Sequence, residues 1–81
     1  MKATVLVRPK QGILDPQGAA VGESLRHLGF EVGDARVGRV IDLELENADP
    51  AKAREDVERM CAQLLANPLI ESFEIRLDGD A

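Results

Sequence analysis

The sequence predicts an α+β fold with the element order β-α-β-α-β, on the strength of three observations. Segments 3–8, 35–46 and 69–78 show the alternating or β-branched composition of strands. Two aspartate-proline pairs, at 15–16 and 49–50, stand in front of segments with helical apolar spacing. The middle strand pattern is twelve residues long, about twice the usual length. We therefore expect one long, bent strand at the centre of the fold.

The first strand pattern covers residues 3–8 and ends at Pro9, and a helix is expected to begin at Pro16. Asp15 has the side chain of an N-cap residue, and proline suits the first helical position. The apolar face of this helix consists of Val21, Leu25 and Leu28. Gly29 is placed to cap the helix in a left-handed conformation.

This first helix is intrinsically weak, because Gly18 and Gly22 each cost about 1 kcal/mol relative to alanine. Close approach of another backbone is the simplest reason for two small residues at these positions. A frayed first turn is the alternative.

The central strand pattern carries five apolar residues of one parity, which an extended chain places on one face. They are Ala35, Val37, Ile41, Leu43 and Leu45. Only Arg39 and Val40 break the pattern. A two-residue hairpin turn at Gly38 and Arg39 is the competing interpretation, but its register would mix aliphatic and acidic side chains on each face. We therefore favour a continuous strand.

A strand of this length reaches about 40 Å, whereas a compact chain of 81 residues is only about 30 Å across. An overhanging strand leaves unpaired backbone groups beside an apolar row, and a second copy of the chain would satisfy both. We therefore expect a homo-oligomer, either a dimer or a tetramer, whose sheet continues across the dimer interface. The expected self-interface consists of Val37, Gly38, Val40, Ile41, Leu43 and Leu45.

The second helix is expected to begin at Pro50, after the N-cap Asp49, and to stop before Pro68. Its apolar stripe consists of Ala53, Val57, Met60, Cys61, Leu64 and Leu65. The residues of the final strand that should face inward are Phe73, Ile75 and Leu77. The complete order is that of one ferredoxin-like domain over residues 1–81 whose central hairpin is pulled straight. Such straightening resembles the open hinge of a domain swap.

Composition narrows the possible functions. The net charge is −5 and the chain has no tyrosine or tryptophan, which together disfavour a nucleic-acid surface. The apolar runs fall far short of the ~20 residues of a membrane span, and the first residues lead straight into a strand pattern rather than a signal sequence. We therefore expect a cytoplasmic protein that binds neither nucleic acid nor membrane.

Residues able to carry out chemistry are few. The lone histidine, His27, is expected on the solvated face of the first helix, and the one cysteine, Cys61, within an apolar stripe. No nucleophile-base pair, metal-ligand spacing or phosphate-binding loop can be assembled from the sequence. We therefore expect no catalytic, cofactor-binding or metal-binding residue in this chain.

Basic residues give the strongest candidate for a binding surface. Two short stretches hold four of the chain's ten positive charges, and an exposed loop follows the first of them. We expect these positions to meet an oppositely charged partner. The alternative is that the four charges merely neutralise Asp34, Asp42 or Glu44. The expected partner interface consists of Arg8, Lys10, Gly12, Asp15, Pro16, Gly18, Arg36 and Arg39.

These motifs resemble those of the PurS family, the small subunits of phosphoribosylformylglycinamidine (FGAM) synthase, along nearly the whole chain. The resemblance rests on segments 8–10, 12–18, 25–30, 36–39, 64–68 and 70–71. One departure is Arg39, where the family commonly has lysine; the positive charge is kept, but the geometry of its contact can differ.

The resemblance implies a noncatalytic assembly subunit of purine biosynthesis. In that family the ATP-dependent step lies on a large synthetase subunit (PurL), glutamine hydrolysis lies on a glutaminase subunit (PurQ), and PurS dimers bridge the two. ATP and magnesium are therefore expected on the large subunit and not on this chain. The residues leave one alternative open, a ferredoxin-like regulatory domain that binds a small ligand at a dimer interface.

Overall fold

The computed structural model describes residues 1–46 and 49–77. Its regular elements are β1 (Lys2–Pro9), α1 (Pro16–His27), β2 (Arg39–Glu44), α2 (Pro50–Met60) and β3 (Glu71–Leu77). One π-helical turn, Cys61–Leu65, extends α2. The strands form an antiparallel sheet in the order β2-β1-β3, so β1 is central and the other two are edges. The predicted α+β class and element order are confirmed; Asp78 lies outside the described residues.

The hydrophobic core lies between one face of the sheet and α2. Alternate residues of β1 point into it because side chains of a strand alternate between faces. The fully buried side chains are Val5, Val7, Val57 and Cys61, with Ala3, Ala53, Ala66 and Leu77 beside them. Ile41, Leu43 and Ile75 pack at the margin of this cluster and are only half-buried. The helix-bearing face of the sheet is therefore well covered at its centre and less so at its edge strands.

The π-helical turn corrects the predicted apolar stripe. The Ala66 N–H donates to the Cys61 carbonyl at 3.1 Å, which closes a wider turn than an α-helix has and shifts the residues that follow around the axis. Leu65 and Ala66 still face the core, whereas Leu64 is 83% exposed. The stripe was correct for the α2 residues and for Cys61, and wrong for Leu64.

The central strand is shorter than predicted. β2 pairs with β1 from Arg39 to Glu44, and residues 30–38 form no regular element. The cause lies in α1, because the Val37 N–H donates to the Asp15 carboxylate at 2.9 Å instead of to a neighbouring strand. The competing hairpin is not formed either, since Arg39 lies opposite Val7 of β1.

The first helix begins and ends as predicted. The Asp15 carboxylate accepts from the Gly18 N–H at 2.9 Å, and Gly29 has a φ of +96°. A methyl group on Gly18 would overlap the carbonyl oxygen of Ala35, which confirms the predicted close approach of another backbone. At Gly22 the nearest neighbours are side chains instead.

Helix α1 lies apart from the core. We call α1 together with residues 30–37 the α1 lobe; its two buried helical residues are glycines that face its own extended segment. Large apolar side chains on the helix and just after it are uncovered, with Val21 43%, Leu28 73% and Phe30 59% exposed, whereas Leu25 is half-buried. The described chain measures 48 × 26 × 16 Å and has a radius of gyration of 15.8 Å, against about 12 Å for a compact chain of this length. The lobe therefore projects from the rest of the molecule.

Candidate partner-binding surface

One end of the sheet gathers the predicted basic residues. Because both strand pairs are antiparallel, the end of β1 meets the beginnings of β2 and β3, with Val7 opposite both Arg39 and Phe73. The loop after β1, the segment before β2 and the turn before β3 consequently converge there. The Lys10 N–H donates to the Ile70 carbonyl at 2.9 Å and joins the loop after β1 to the turn before β3.

A cleft of about 640 Å³ opens at this end and brings together all four predicted basic positions. They are Arg8, Lys10, Arg36 and Arg39. Leu6, Val40 and Ser72 line the same cleft between them. Two stretches separated by more than twenty residues in the sequence thus form one positively lined surface.

Arg39 is held by internal contacts. Its guanidinium donates to both carboxylate oxygens of Glu71, at 2.6 and 3.0 Å, and to the Leu65 carbonyl at 2.5 Å. Glu71 also accepts from the Asn67 N–H at 2.8 Å. The bond to Arg39 and then the bond from Asn67 lower the pKa of the Glu71 carboxyl, and the bond to Glu71 raises the pKa of Arg39. The cation also sits at the C-terminal end of the α2 helix, where the helix dipole favours it.

The other three basic side chains are not tightly paired with a carboxylate and can contact a charged partner. Arg36 donates to the carbonyls of Pro9 and Lys10, at 3.2 and 2.5 Å, and Lys10 donates to the Pro68 carbonyl at 2.7 Å. These acceptors are neutral, so they fix the side chains without cancelling their charge. Arg8 lies 4.0 Å from Glu74, a distant and exposed contact.

The predicted neutralisation by three specific carboxylates does not match the contacts found. Asp42, one of the three, accepts a hydrogen bond from Thr4 at 3.1 Å. The carboxylates that form ion pairs within 4.0 Å of these basic side chains in the described chain are Glu71 and Glu74, both on β3, and the charge of Arg36 acts in addition on Asp15. Only Arg39 is tightly paired with one of them.

The remaining positions of the predicted partner interface divide into two groups. Asp15 and Gly18 have internal tasks, since the carboxylate joins α1 to Val37 and the glycine is buried against Ala35. The bonds from Gly18 and then Val37 lower the pKa of the Asp15 carboxyl, with the charge of Arg36 adding to the effect. Gly12 and Pro16 are exposed.

The predicted self-interface residues lie on both sides of the sheet. Ile41, Leu43 and Leu45 are half-buried on the helix-bearing face, whereas Val40 is 60% exposed on the opposite face. Val37 belongs to the α1 lobe. A methyl group at Gly38 would overlap the Val7 carbonyl oxygen, so this glycine allows the chain to cross close to β1.

An apolar surface beside the cleft was missed by sequence reasoning. A second cleft of about 240 Å³ shares Pro9, Gly38 and Arg39 with the first, and Ile13, Leu14 and Ile70 line it. Leu14 is 84% exposed. The available signal was the presence of aliphatic residues in turns that have no strand or helix pattern to bury them.

Other possible chemistry is sparse in residues 1–46 and 49–77. His27 is solvated, as predicted, with its Nε2 3.8 Å from a Glu23 oxygen. Cys61 is fully buried, and this burial raises the pKa of its thiol, with the charge of Glu58 adding to the rise. The described residues contain no group of three or more potential metal ligands. None of their helices is long and apolar enough to cross a membrane.

Comparison with known proteins supports the predicted resemblance. Residues 2–79 match the family described as PurS, phosphoribosylformylglycinamidine (FGAM) synthase. Subunit PurS of this synthase from Methanocaldococcus jannaschii is 40% identical over 78 residues, which cover 95% of this chain and 94% of that protein.

Solved structures give the same result. The crystal structure of the M. jannaschii PurS matches with a TM-score of 0.81 at 39% identity, over 93% of this chain and 92% of that one. A chain in the structure of PurLQS from Thermotoga maritima matches with a TM-score of 0.85 at 36% identity, over 93% of both chains. The sequence, the fold and these matches together place the chain in the PurS family of FGAM synthase subunits.

Proposed function

We propose that this chain is a noncatalytic assembly subunit that bridges the ATP-dependent synthetase subunit, PurL, and the glutaminase subunit, PurQ. The complex converts formylglycinamide ribonucleotide to the amidine with ammonia released from glutamine, in de novo purine biosynthesis in the cytoplasm. The observation that carries the proposal is the likeness to a chain of PurLQS over 93% of both lengths. A chain that matches over nearly its whole length can present a surface of similar shape to the partner subunits.

The side chains support a binding role over a chemical one. Cys61 is buried with a raised thiol pKa, and His27 is exposed on a separate helix, so the two cannot act as nucleophile and base. The described surface instead offers a basic cleft beside exposed aliphatic residues. In this proposal ATP and magnesium are held by the large subunit and this chain binds no cofactor.

A second copy of the chain is part of the proposal. The α1 lobe exposes the apolar face of its helix, and Ile41 and Leu43 on the edge strand β2 are only half-covered. In a homodimer, the backbone groups of residues 35–38 other than the Val37 N–H, which already donates to Asp15, would pair with the β2 edge of the other copy, and the two sheets would continue across the interface. Helix α1 would then cover the outer part of the partner's sheet. Each copy would thus cover apolar side chains that the other copy leaves exposed.

The oligomer has a direct test. Leu28 is 73% exposed in the single chain, so Leu28→Glu should leave the chain folded while blocking association through α1. His27→Glu is the matched control, because it adds a carboxylate on the solvated face of the same helix. Sedimentation velocity at micromolar concentration should show a dimer or larger even oligomer for the wild type and the control, and a smaller species for Leu28→Glu. A folded wild-type monomer would contradict this part of the proposal.

The bridging role is tested by reconstitution. We expect the purified chain to show no glutaminase, ATPase or amidation activity alone, and to be required when PurL and PurQ are assayed together for glutamine-dependent turnover. Ammonia-dependent turnover by PurL alone serves as the control, because it bypasses PurQ and needs no bridge. Glutamine-dependent turnover that is unchanged without this chain would overturn the proposal. Tight binding of a free amino acid or nucleotide would favour the regulatory alternative.

A further inference from the structure

The sheet has one face that no described helix covers. Residues of even number in β1 point to this face, opposite the core side, and so do Val40 and Ser72 of the edge strands. Leu6 lies between Val40 and Glu74 in the register of the three strands. Val40 is 60% exposed there, so the side chains of Leu6 and Val40 form an apolar floor that solvent can reach.

A positive rim surrounds this floor. Arg8, Lys10 and Arg36 line the same cleft as Leu6 and Val40. Two of these cations are held in place by neutral carbonyl groups, and Arg8 lies as far as 4.0 Å from its carboxylate neighbour, Glu74. The cleft is therefore positive although the chain as a whole carries a net charge of −5. An apolar floor within a positive rim fits a ligand that combines both characters.

We infer that this cleft binds an acidic segment of a partner subunit, with one aliphatic or aromatic side chain on the Leu6–Val40 floor and carboxylates against the rim. The inference rests on the proposed bridging function and names the chemistry of the segment bound. A small inorganic anion would leave the apolar floor uncovered, whereas a peptide segment buries the floor and the rim together.

A partner subunit fits this cleft better than a second copy of the chain. The proposed homodimer uses the α1 helix, residues 35–38 and the helix-bearing side of β2. The Leu6–Val40 floor and Arg8 lie on the opposite face of the sheet and are left open by that arrangement, which shares Arg36 and Gly38 with the lining of the cleft. Charge complementarity also favours an acidic occupant, because Lys10 donates to a neutral carbonyl and Arg8 meets Glu74 only at 4.0 Å in an exposed contact. Arg36 donates to neutral carbonyls as well, although its charge also acts on the Asp15 carboxyl.

The test compares two arginines on the same sheet face. Arg8→Glu reverses a rim charge, and Arg76→Glu makes the same change toward the other end of β3; both side chains approach the same Glu74 oxygen, at 4.0 and 3.3 Å. Both are exposed to a similar extent, 63% and 64%. We expect Arg8→Glu to weaken binding of the full-length chain to immobilised PurL or PurQ by about tenfold or more and to flatten its salt dependence. Arg76→Glu should stay within about twofold of the wild type.

A second variant tests the apolar floor. Val40→Ser removes exposed apolar surface without changing charge, and we expect it to weaken the same binding by about fivefold to tenfold with an unchanged salt dependence. Circular dichroism and sedimentation verify that each variant folds and forms the wild-type oligomer. The salt response thus separates the two parts of the cleft.

The outcomes are distinct. If the wild type binds, equal effects of Arg8→Glu and Arg76→Glu on the affinity would overturn the inference. So would unchanged affinities of both Arg8→Glu and Val40→Ser. Loss of the homo-oligomer in Arg8→Glu would assign the cleft to a second copy and overturn it as well. A wild-type chain that binds neither subunit would overturn the proposed function itself, and this inference with it.

Discussion

The two helices begin with the same local signal and are packed in different ways. Asp15 and Asp49 both cap a helix that starts with proline, accepting from the Gly18 and Ala51 N–H groups at 2.9 and 3.1 Å. Helix α2 then buries Val57 in the core, whereas α1 buries only glycines against an extended segment. A capping signal therefore fixes where a helix starts, and the size of its buried residues decides what it packs against.

The two helices also differ in whether their apolar side chains are buried within the single chain or need an assembly partner to be buried. The α2 half has a closed core with fully buried valines. The α1 lobe has well-made backbone contacts but leaves its larger apolar side chains in solvent. The α2 half therefore folds within a single chain, and we expect the α1 lobe to gain its stability from contacts with partners. The following predictions test that division, beginning with the largest effect.

Val57→Ala and Val21→Ala remove the same two methyl groups from the two helices. Val57 is fully buried, so its loss should lower the free energy of unfolding by about 2–3 kcal/mol. Val21 is 43% exposed in the single chain, so its loss should act mainly through association and depend on protein concentration. Urea denaturation at several concentrations measures both. Equal losses that do not vary with concentration would mean that α1 packs on the core of its own chain.

Gly18→Ala and Gly22→Ala separate backbone contact from helix propensity. Alanine improves helix propensity by about 1 kcal/mol at either position. At Gly18 the new methyl group would overlap the Ala35 carbonyl oxygen, so we expect a net destabilisation of about 1–3 kcal/mol. At Gly22 the nearest group is the Arg26 guanidinium, 3.3 Å from the methyl position and hydrogen-bonded to the Val32 and Gly33 carbonyls. It needs to give by only a few tenths of an ångström, so the change should be neutral or slightly stabilising. Thermal unfolding of the pair verifies the sign of each change.

The pH dependence of the α1 lobe should follow one carboxyl. Hydrogen bonds from Gly18 and then Val37 lower the pKa of Asp15 in the folded chain. A lowered folded pKa means that this stabilisation is fully present above the ordinary value of about 4 and is lost as pH falls through the lowered value. The amide NMR signals of Gly18 and Val37 should titrate together below pH 4, and they should not titrate in Asp15→Asn. Separate midpoints for the two amides would show that different groups hold the lobe.

Arg39→Lys should have the smallest effect of the four. Lysine keeps the charge but cannot donate two parallel hydrogen bonds to Glu71, so the chain should stay folded and the pKa of the Glu71 carboxyl should rise toward its ordinary value. Carbon-detected NMR titration of Glu71 measures the shift. An unchanged pKa would mean that the Asn67 N–H, and not Arg39, holds the carboxylate.

Local patterns were enough to predict the element order, both N-caps and the buried face of β1, whereas Phe73, which was expected to face inward, is 41% exposed. Alternation in β1 depends only on the two-residue period of a strand, which the sequence displays directly. The basic cleft could also be predicted from the sequence, because Arg8 and Arg36 lie near the ends of predicted strands. What alternation could not show is that Val37 prefers the Asp15 carboxylate to a strand partner.

The two residues that depart from their sequence patterns do so for different physical reasons. Leu64 follows the helical spacing of its stripe but is turned outward by the π-helical turn, which is closed by a backbone hydrogen bond rather than by a side chain. Arg39 breaks the apolar pattern of its strand, yet it belongs on that face because Glu71 and the Leu65 carbonyl lie within its reach. The turn at Leu64 depends on a local backbone hydrogen bond, which the spacing of side chains does not display. The placement of Arg39 depends on segments far apart in the sequence, and the pattern of a single segment carries no record of such contacts.

The two outer strands of the sheet also bear on how the chain is handled in the cell. β2 and β3 are both edges, and beside them the α1 lobe leaves large apolar side chains in solvent. A surplus of unassembled chains would offer open strand edges to one another and to other nascent proteins, which favours aggregation and removal by proteases. Balanced synthesis of this chain and its partners therefore becomes a requirement for its survival as well as for activity. Overexpression of the chain by itself should yield more insoluble protein than co-expression with its partner subunits.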